Sequence, residues 1–81
     1  MATEVLTEAV AFARRQWPRG NLATTAALED LGVVESRRGD MAAAASAFAA
    51  ALEVAQAVAP TDAALLQRLQ QRRDAAQRAT K

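Results

Sequence analysis

Few side chains in this sequence can do chemistry, and their types narrow the choice at once. Histidine, cysteine and tyrosine are absent. That removes Ser-His-Asp and Cys-His nucleophile systems, thiolate and imidazole metal sites, disulfide frameworks, and haem or iron–sulfur ligation through those residues. Acids, arginines and hydroxyls remain. Glu4 and Glu8 stand at i, i+4 near a helix start, where the helix dipole favours carboxylates in any case. Glu29 and Asp30 are adjacent and point apart, and Glu53 is alone. Carboxylate di-metal bundles also use a Glu-x-x-His pair, which a chain without histidine cannot supply. Neither an enzymatic role nor a metal or other cofactor is expected.

The arginines form three clusters, Arg14/Arg15/Arg19, Arg37/Arg38 and Arg68/Arg72/Arg73/Arg78. The first two sit at helix ends, where the macrodipole favours cations. The third has no interleaved aromatic to stack a base, and Asp62 and Asp74 dilute it. The formal net charge is only +1, so no overall field draws nucleic acid, although residues 61–81 carry a local excess of +3. The longest uncharged stretch, Met41 to Leu52, is twelve residues of mostly Ala, too short to span a bilayer. The fourth helix has three large apolar residues, too few for a membrane-surface helix. Glu4 and Glu8 fall where a signal peptide would place its basic and apolar regions, so a cytoplasmic protein is expected.

The elements that must position these side chains are helices. Of the 81 residues, 23 are Ala and none is Ile, a composition that favours helix over strand. Three breakers divide the chain. Pro18-Arg19-Gly20-Asn21 ends one helix and supplies Asn21 as the next N-cap. Arg38-Gly39-Asp40 supplies a left-handed glycine followed by an Asp cap, and Ala59-Pro60-Thr61-Asp62 repeats the first device. Helices are predicted over about 3–17, 22–38, 41–58 and 62–79. Apolar stripes run through Val5/Leu6, Ala9/Val10, Phe12/Ala13 and Gln16/Trp17 in the first, and through Leu28, Leu31/Gly32 and Glu35 in the second. The third carries Ala44, Phe48, Ala51/Leu52, Ala55 and Val58. The fourth has Leu65, Leu66 and Leu69 before Arg72, Arg73 and Asp74 take over, so its last half is expected to be solvated. The two-residue link Gly39-Asp40 forces an antiparallel hairpin.

A repeat signature overlies these helices. Leu28-x-x-Leu31-Gly32 is followed by Ala44-x-x-x-Phe48, then by Ala51 and Pro60, with Gly39-Asp40 as the turn between the two halves. From about Thr25 to Pro60 this resembles one tetratricopeptide repeat. Leu28 replaces that family's preferred Trp, Glu35 stands where an aromatic is usual, and the Pro falls four residues late, which is about one extra helical turn. That lengthening is similar to the kinesin light chain type. An offset of 42 pairs Pro18 with Pro60, Leu6 with Phe48, and Val10 with Leu52. The same offset sets Leu31-Gly32 against Arg73-Asp74, which cannot pack as a buried Leu-Gly pair, so the fourth helix reads as a polar cap of the kind repeat arrays need.

The resemblance implies an all-α fold of antiparallel helical hairpins, a right-handed array of about four helices in a single domain, 1–81. Residues 1–18 would be the second helix of a partial repeat, 22–60 one repeat, and 61–81 a C-terminal cap. It also implies a non-catalytic protein–protein interaction module: an adaptor, scaffold or assembly subunit whose partner is a protein or peptide. Mapped onto this chain, the groove face is Ala26, Glu29, Asp30, Val33, Ser36 and Arg37, an acidic stripe with one large apolar residue. The carboxylate-clamp form of the family needs Lys and Asn at matching points, two of which are Glu29 and Asp30 here. An incomplete first repeat leaves Val5, Leu6, Val10, Phe12 and Trp17 as a self-association face, and a homo-oligomer or a place in a larger assembly follows. The alternative is a stand-alone helical bundle acting as a nucleic-acid-associated regulator through its basic C-terminal helix.

Overall fold

The computed structural model describes residues 7, 8, 10–12, 15, 16 and 20–80, and the fold is all-helical. Helical residues at 7, 8, 10–12, 15 and 16 belong to an N-terminal helix, α1. It is followed by α2 (Leu22–Arg37), α3 (Met41–Val58) and α4 (Ala63–Ala79). The predicted bounds of the last three agree with these to within one residue at each end.

Local chemistry accounts for that agreement. Each of the three starts leaves orphan N–H groups, and a side chain three residues upstream answers one of them. Asn21 Oδ1 accepts from the Thr24 N–H at 2.8 Å, Asp40 Oδ1 from Ala43 at 3.1 Å and Asp62 Oδ1 from Leu65 at 3.1 Å. Helix α2 ends in a Schellman turn: the Gly39 N–H donates to Ser36 O at 3.0 Å and the Asp40 N–H to Glu35 O at 2.9 Å. Gly39 takes φ +83° to make it, a conformation open to glycine at little cost.

Helix α3 is the shared slab. It packs against α2 on one side and α4 on the other. Along α2, Ser36 meets Met41 and Gly32 meets Phe48, while Leu28 joins the cluster of Ala51 and Leu52, so the two helices run antiparallel. Along α4, Ala76 joins Ala44 and Phe48, and Leu69 joins Ala51, Leu52 and Ala55, again antiparallel. Alanine makes this possible. Ala44, Ala51 and Ala55 are wholly buried, with no bulk to hold the neighbouring backbones away. Gly32 goes further: a Cβ there would lie 2.5 to 2.8 Å from three ring carbons of Phe48, so the ring occupies the space a side chain would need.

Three expectations change on contact with the structure. The last half of α4 is not simply solvated, because Ala76 is buried and Arg73 and Asp74 are half-buried beside each other. Val10 and Phe12 do not share one open face. Val10 is buried with Leu28, Ala51 and Leu52, whereas Phe12 is 53 % exposed, since residues two apart on a helix point in widely different directions. Finally, α3 as a whole, 18 residues with Glu53 as its one charge, is long and apolar enough to cross a membrane by length and composition. In this fold it lies between α2 and α4, with a third of it buried.

Candidate protein-binding groove

Because α2 and α4 both pack on α3, they lie beside each other with a cleft between them. The side chains that tie the two together come from charges far apart in sequence. Arg68 donates to Glu29 through Nε at 2.9 Å and Nη2 at 3.0 Å, a two-point grip on the carboxylate. Arg72, one turn further along α4, brings its Nε to 2.9 Å from the same carboxylate. Glu29 is 13 % exposed and the two arginines 53 % and 42 %, so the cluster sits at the protein surface with its acid mostly covered. Exposed pairs of this kind contribute about 0.2–1 kcal/mol each. Their value here is register, since they fix where α4 lies along α2.

Beyond this bridge the cleft opens to about 350 Å³. Val33, Ser36 and Arg37 of α2 form one wall and Arg72, Ala75, Ala76 and Ala79 of α4 the other, with Phe48 as floor and Met41 at one end. The Arg72 guanidinium carbon stands 5.9 Å from the centre of the Phe48 ring, within reach of a cation–π attraction. Ser36 Oγ donates to Met41 Sδ at 3.7 Å, which ties the Met41 side chain to the end of α2.

The six residues predicted for the groove face therefore separate. Val33, Ser36 and Arg37 come together on the cleft wall. Glu29 lies at its α4 bridge, engaged by two arginines, and Ala26 and Asp30 are exposed away from the lining. The acidic character expected of the groove is corrected by this arrangement. Its one semi-buried acid is spoken for, and the charged residues that line it are Arg37 and Arg72. Of the predicted self-association face, Val5, Leu6 and Trp17 lie outside the described residues, Val10 is in the core, and Phe12 is exposed.

Sequence reasoning missed the α4 wall and the floor. A signal was present: Arg72, Ala75, Ala76 and Ala79 fall at i, i+3, i+4 and i+7, a helix face whose small residues leave room beside it. The basic cluster of α4 is also less available than its composition suggests. Arg68 and Arg72 hold Glu29, and Arg73 holds Asp74 through Nε at 3.2 Å and Nη2 at 3.1 Å. On the other side of α2, a second cleft of about 550 Å³ lies between α1, α2 and α3, floored by Leu28, Ala47 and Ala50. Glu35 is buried at its edge and reaches Arg38 at 3.6 Å. Among the described residues no three acids gather into a group that could hold a metal ion.

Comparison with protein-family models, with curated proteins and with solved structures finds no match to this chain.

Proposed function

We propose that this chain is a non-catalytic protein–protein interaction module of tetratricopeptide-like architecture, acting as an adaptor, scaffold or assembly subunit. The observation that carries this reading is the α2/α4 cleft: two helices set side by side on a third, with an apolar floor at Phe48. The close seat of Phe48 on Gly32 supports the repeat-like architecture, because a small residue on the first helix facing an aromatic on the second is what the repeat pattern specifies. Phe12, 53 % accessible, is the described residue of the predicted self-association face that stays open, and self-association or docking within a larger assembly is proposed on it. The nucleic-acid alternative loses ground, since three of the four α4 arginines are already engaged by acids.

Ala75 provides the test, being exposed on the cleft wall, where a tryptophan fills the cleft without entering the core. Partners crosslinked to the intact chain and identified by mass spectrometry are expected to be lost with Ala75→Trp and kept with Gln71→Trp, on the exposed surface outside the lining. Retention with both variants would remove the cleft from the binding surface. The self-association half rests on sedimentation, where a well-folded monomer at micromolar concentration would refute it.

A further inference from the structure

Charge and shape together restrict what the α2/α4 cleft can take. The charged residues lining it, Arg37 and Arg72, are both cationic. Beside it, the single carboxylate of Glu29 is shared between Arg68 and Arg72, which leaves one positive charge uncompensated. Arg37 adds a second, having no ion pair among the described residues. An arginine carries five N–H donors in a planar fork. Arg72 Nε lies 2.9 Å from Glu29 Oε2, and its guanidinium carbon is 5.9 Å from the centre of the Phe48 ring. The floor of the cleft is apolar: Phe48, Val33 and Ala76. Phe48 is only 4 % exposed, so it offers no open face on which a nucleic-acid base could stack.

We infer that the cleft receives a segment of a partner protein that carries a large apolar side chain next to a carboxylate. The apolar group packs on the accessible apolar lining, Val33, Met41 and Ala75, and the carboxylate engages Arg37 and Arg72. Glu29 is then an internal competitor, already 2.9 Å from Nε of the Arg72 guanidinium that the partner's carboxylate needs. The inference rests on the cleft being a docking surface at all, and the test separates the two ideas.

Short fluorescein-labelled synthetic peptides are titrated with the full chain by fluorescence anisotropy at about 0.15 M salt. One is built of leucine and glutamate, one of leucine and glutamine, and one of leucine and lysine. The acidic peptide is expected to bind at least about fivefold more tightly than the glutamine peptide, the scale of a partly exposed charge-assisted hydrogen bond. Arg37→Gln abolishes that preference, whereas Arg78→Gln, on exposed α4 surface outside the lining, leaves it intact. Glu29→Gln tightens the acidic peptide about twofold or more by releasing Arg72, with the glutamine peptide reporting any loss of the fold itself. Equal binding of the three peptides would overturn the inference and leave the docking reading standing. No binding of any of them at millimolar concentration would overturn both. Equal losses in the Arg37 and Arg78 variants would reduce the effect to diffuse attraction and overturn the inference. So would a concentration-dependent dimer broken by Arg37→Gln, which would make a second copy the occupant.

Discussion

Replacing Gly32 with alanine sets two physical effects against each other, and the structure decides the sign. On helix propensity alone the change stabilises, by about 1 kcal/mol in a helix interior. Packing opposes it. The new Cβ would lie 2.5, 2.7 and 2.8 Å from Cε1, Cδ1 and Cζ of Phe48, whereas carbon atoms rest about 3.5–4.0 Å apart. The ring would have to retreat by about 1 Å. Ala44 and Ala76, 0 % and 5 % exposed, block it on the core side, and on the cleft side Arg72 stands over its face, so the ring retreats only by displacing that guanidinium. Overpacking of this depth costs about 3 kcal/mol, the upper end of the usual range. The net loss is therefore about 2 kcal/mol, or roughly 8–16 °C in Tm for a domain of this size. Thermal and urea unfolding followed by circular dichroism measure it. A cycle with Phe48→Leu adds the diagnostic term, because a smaller side chain opposite position 32 relieves the clash, and the double variant should lose less than the two single variants together. A Gly32→Ala protein that melts at or above the wild-type temperature would refute the reasoning, since propensity would then have won over packing.

Asn21→Ala should cost about 2 kcal/mol and Asp62→Ala about 0.5–1 kcal/mol in urea unfolding. Asn21 Oδ1 serves both the N–H and the hydroxyl of fully buried Thr24, at 2.8 and 2.9 Å, while water can replace the exposed Asp62 cap. Leu69→Ala, at a wholly buried position between α4 and α3, is expected to cost about 2–5 kcal/mol, a large share of the stability of so small a domain. Its far-UV spectrum and denaturation midpoint report whether α4 stays docked. Glu29→Gln should lower Tm by a few degrees at low salt, with the difference shrinking in molar salt; a salt-independent loss would mean that packing rather than ion pairing is being measured.

How much was legible in the sequence follows from how local each determinant is. The helix limits could be read because Asn21, Asp40, Asp62 and Gly39 each act within three or four residues of themselves. The α2–α3 pairing could be read because a two-residue turn leaves few geometries, and the Gly32–Phe48 contact was implied by residue size at matching distances from that turn. The cleft was read on one wall only. Arg68 lies 39 residues from Glu29, and nothing local to either residue announces the pair. The sign of the groove's charge depended on that partnership, so an acidic stripe in sequence became a cationic lining in space. Ala76 was hidden for a different reason: alanine is apolar enough to be buried and small enough to be overlooked among Arg72, Arg73 and Asp74. In α1, Val10 and Phe12 share a run of apolar letters, and only the neighbouring helices decide which of them faces inward.

The placement of α3 between its two sequence neighbours has a kinetic consequence. Among the described helices, the main backbone packing joins α2 to α3 and α3 to α4, each pair being consecutive in the chain. Hairpins closed by short turns bring their contacts together without long loop closure, which belongs to the fast, microsecond-to-millisecond regime of helical proteins. Since α3 takes part in both pairings, either hairpin can form first and present the same helix as a template for the other. Substitutions along its wholly buried positions, Ala44, Ala51 and Ala55, should therefore appear mainly in the folding arm of a chevron, and those on α2 or α4 should divide between the two arms.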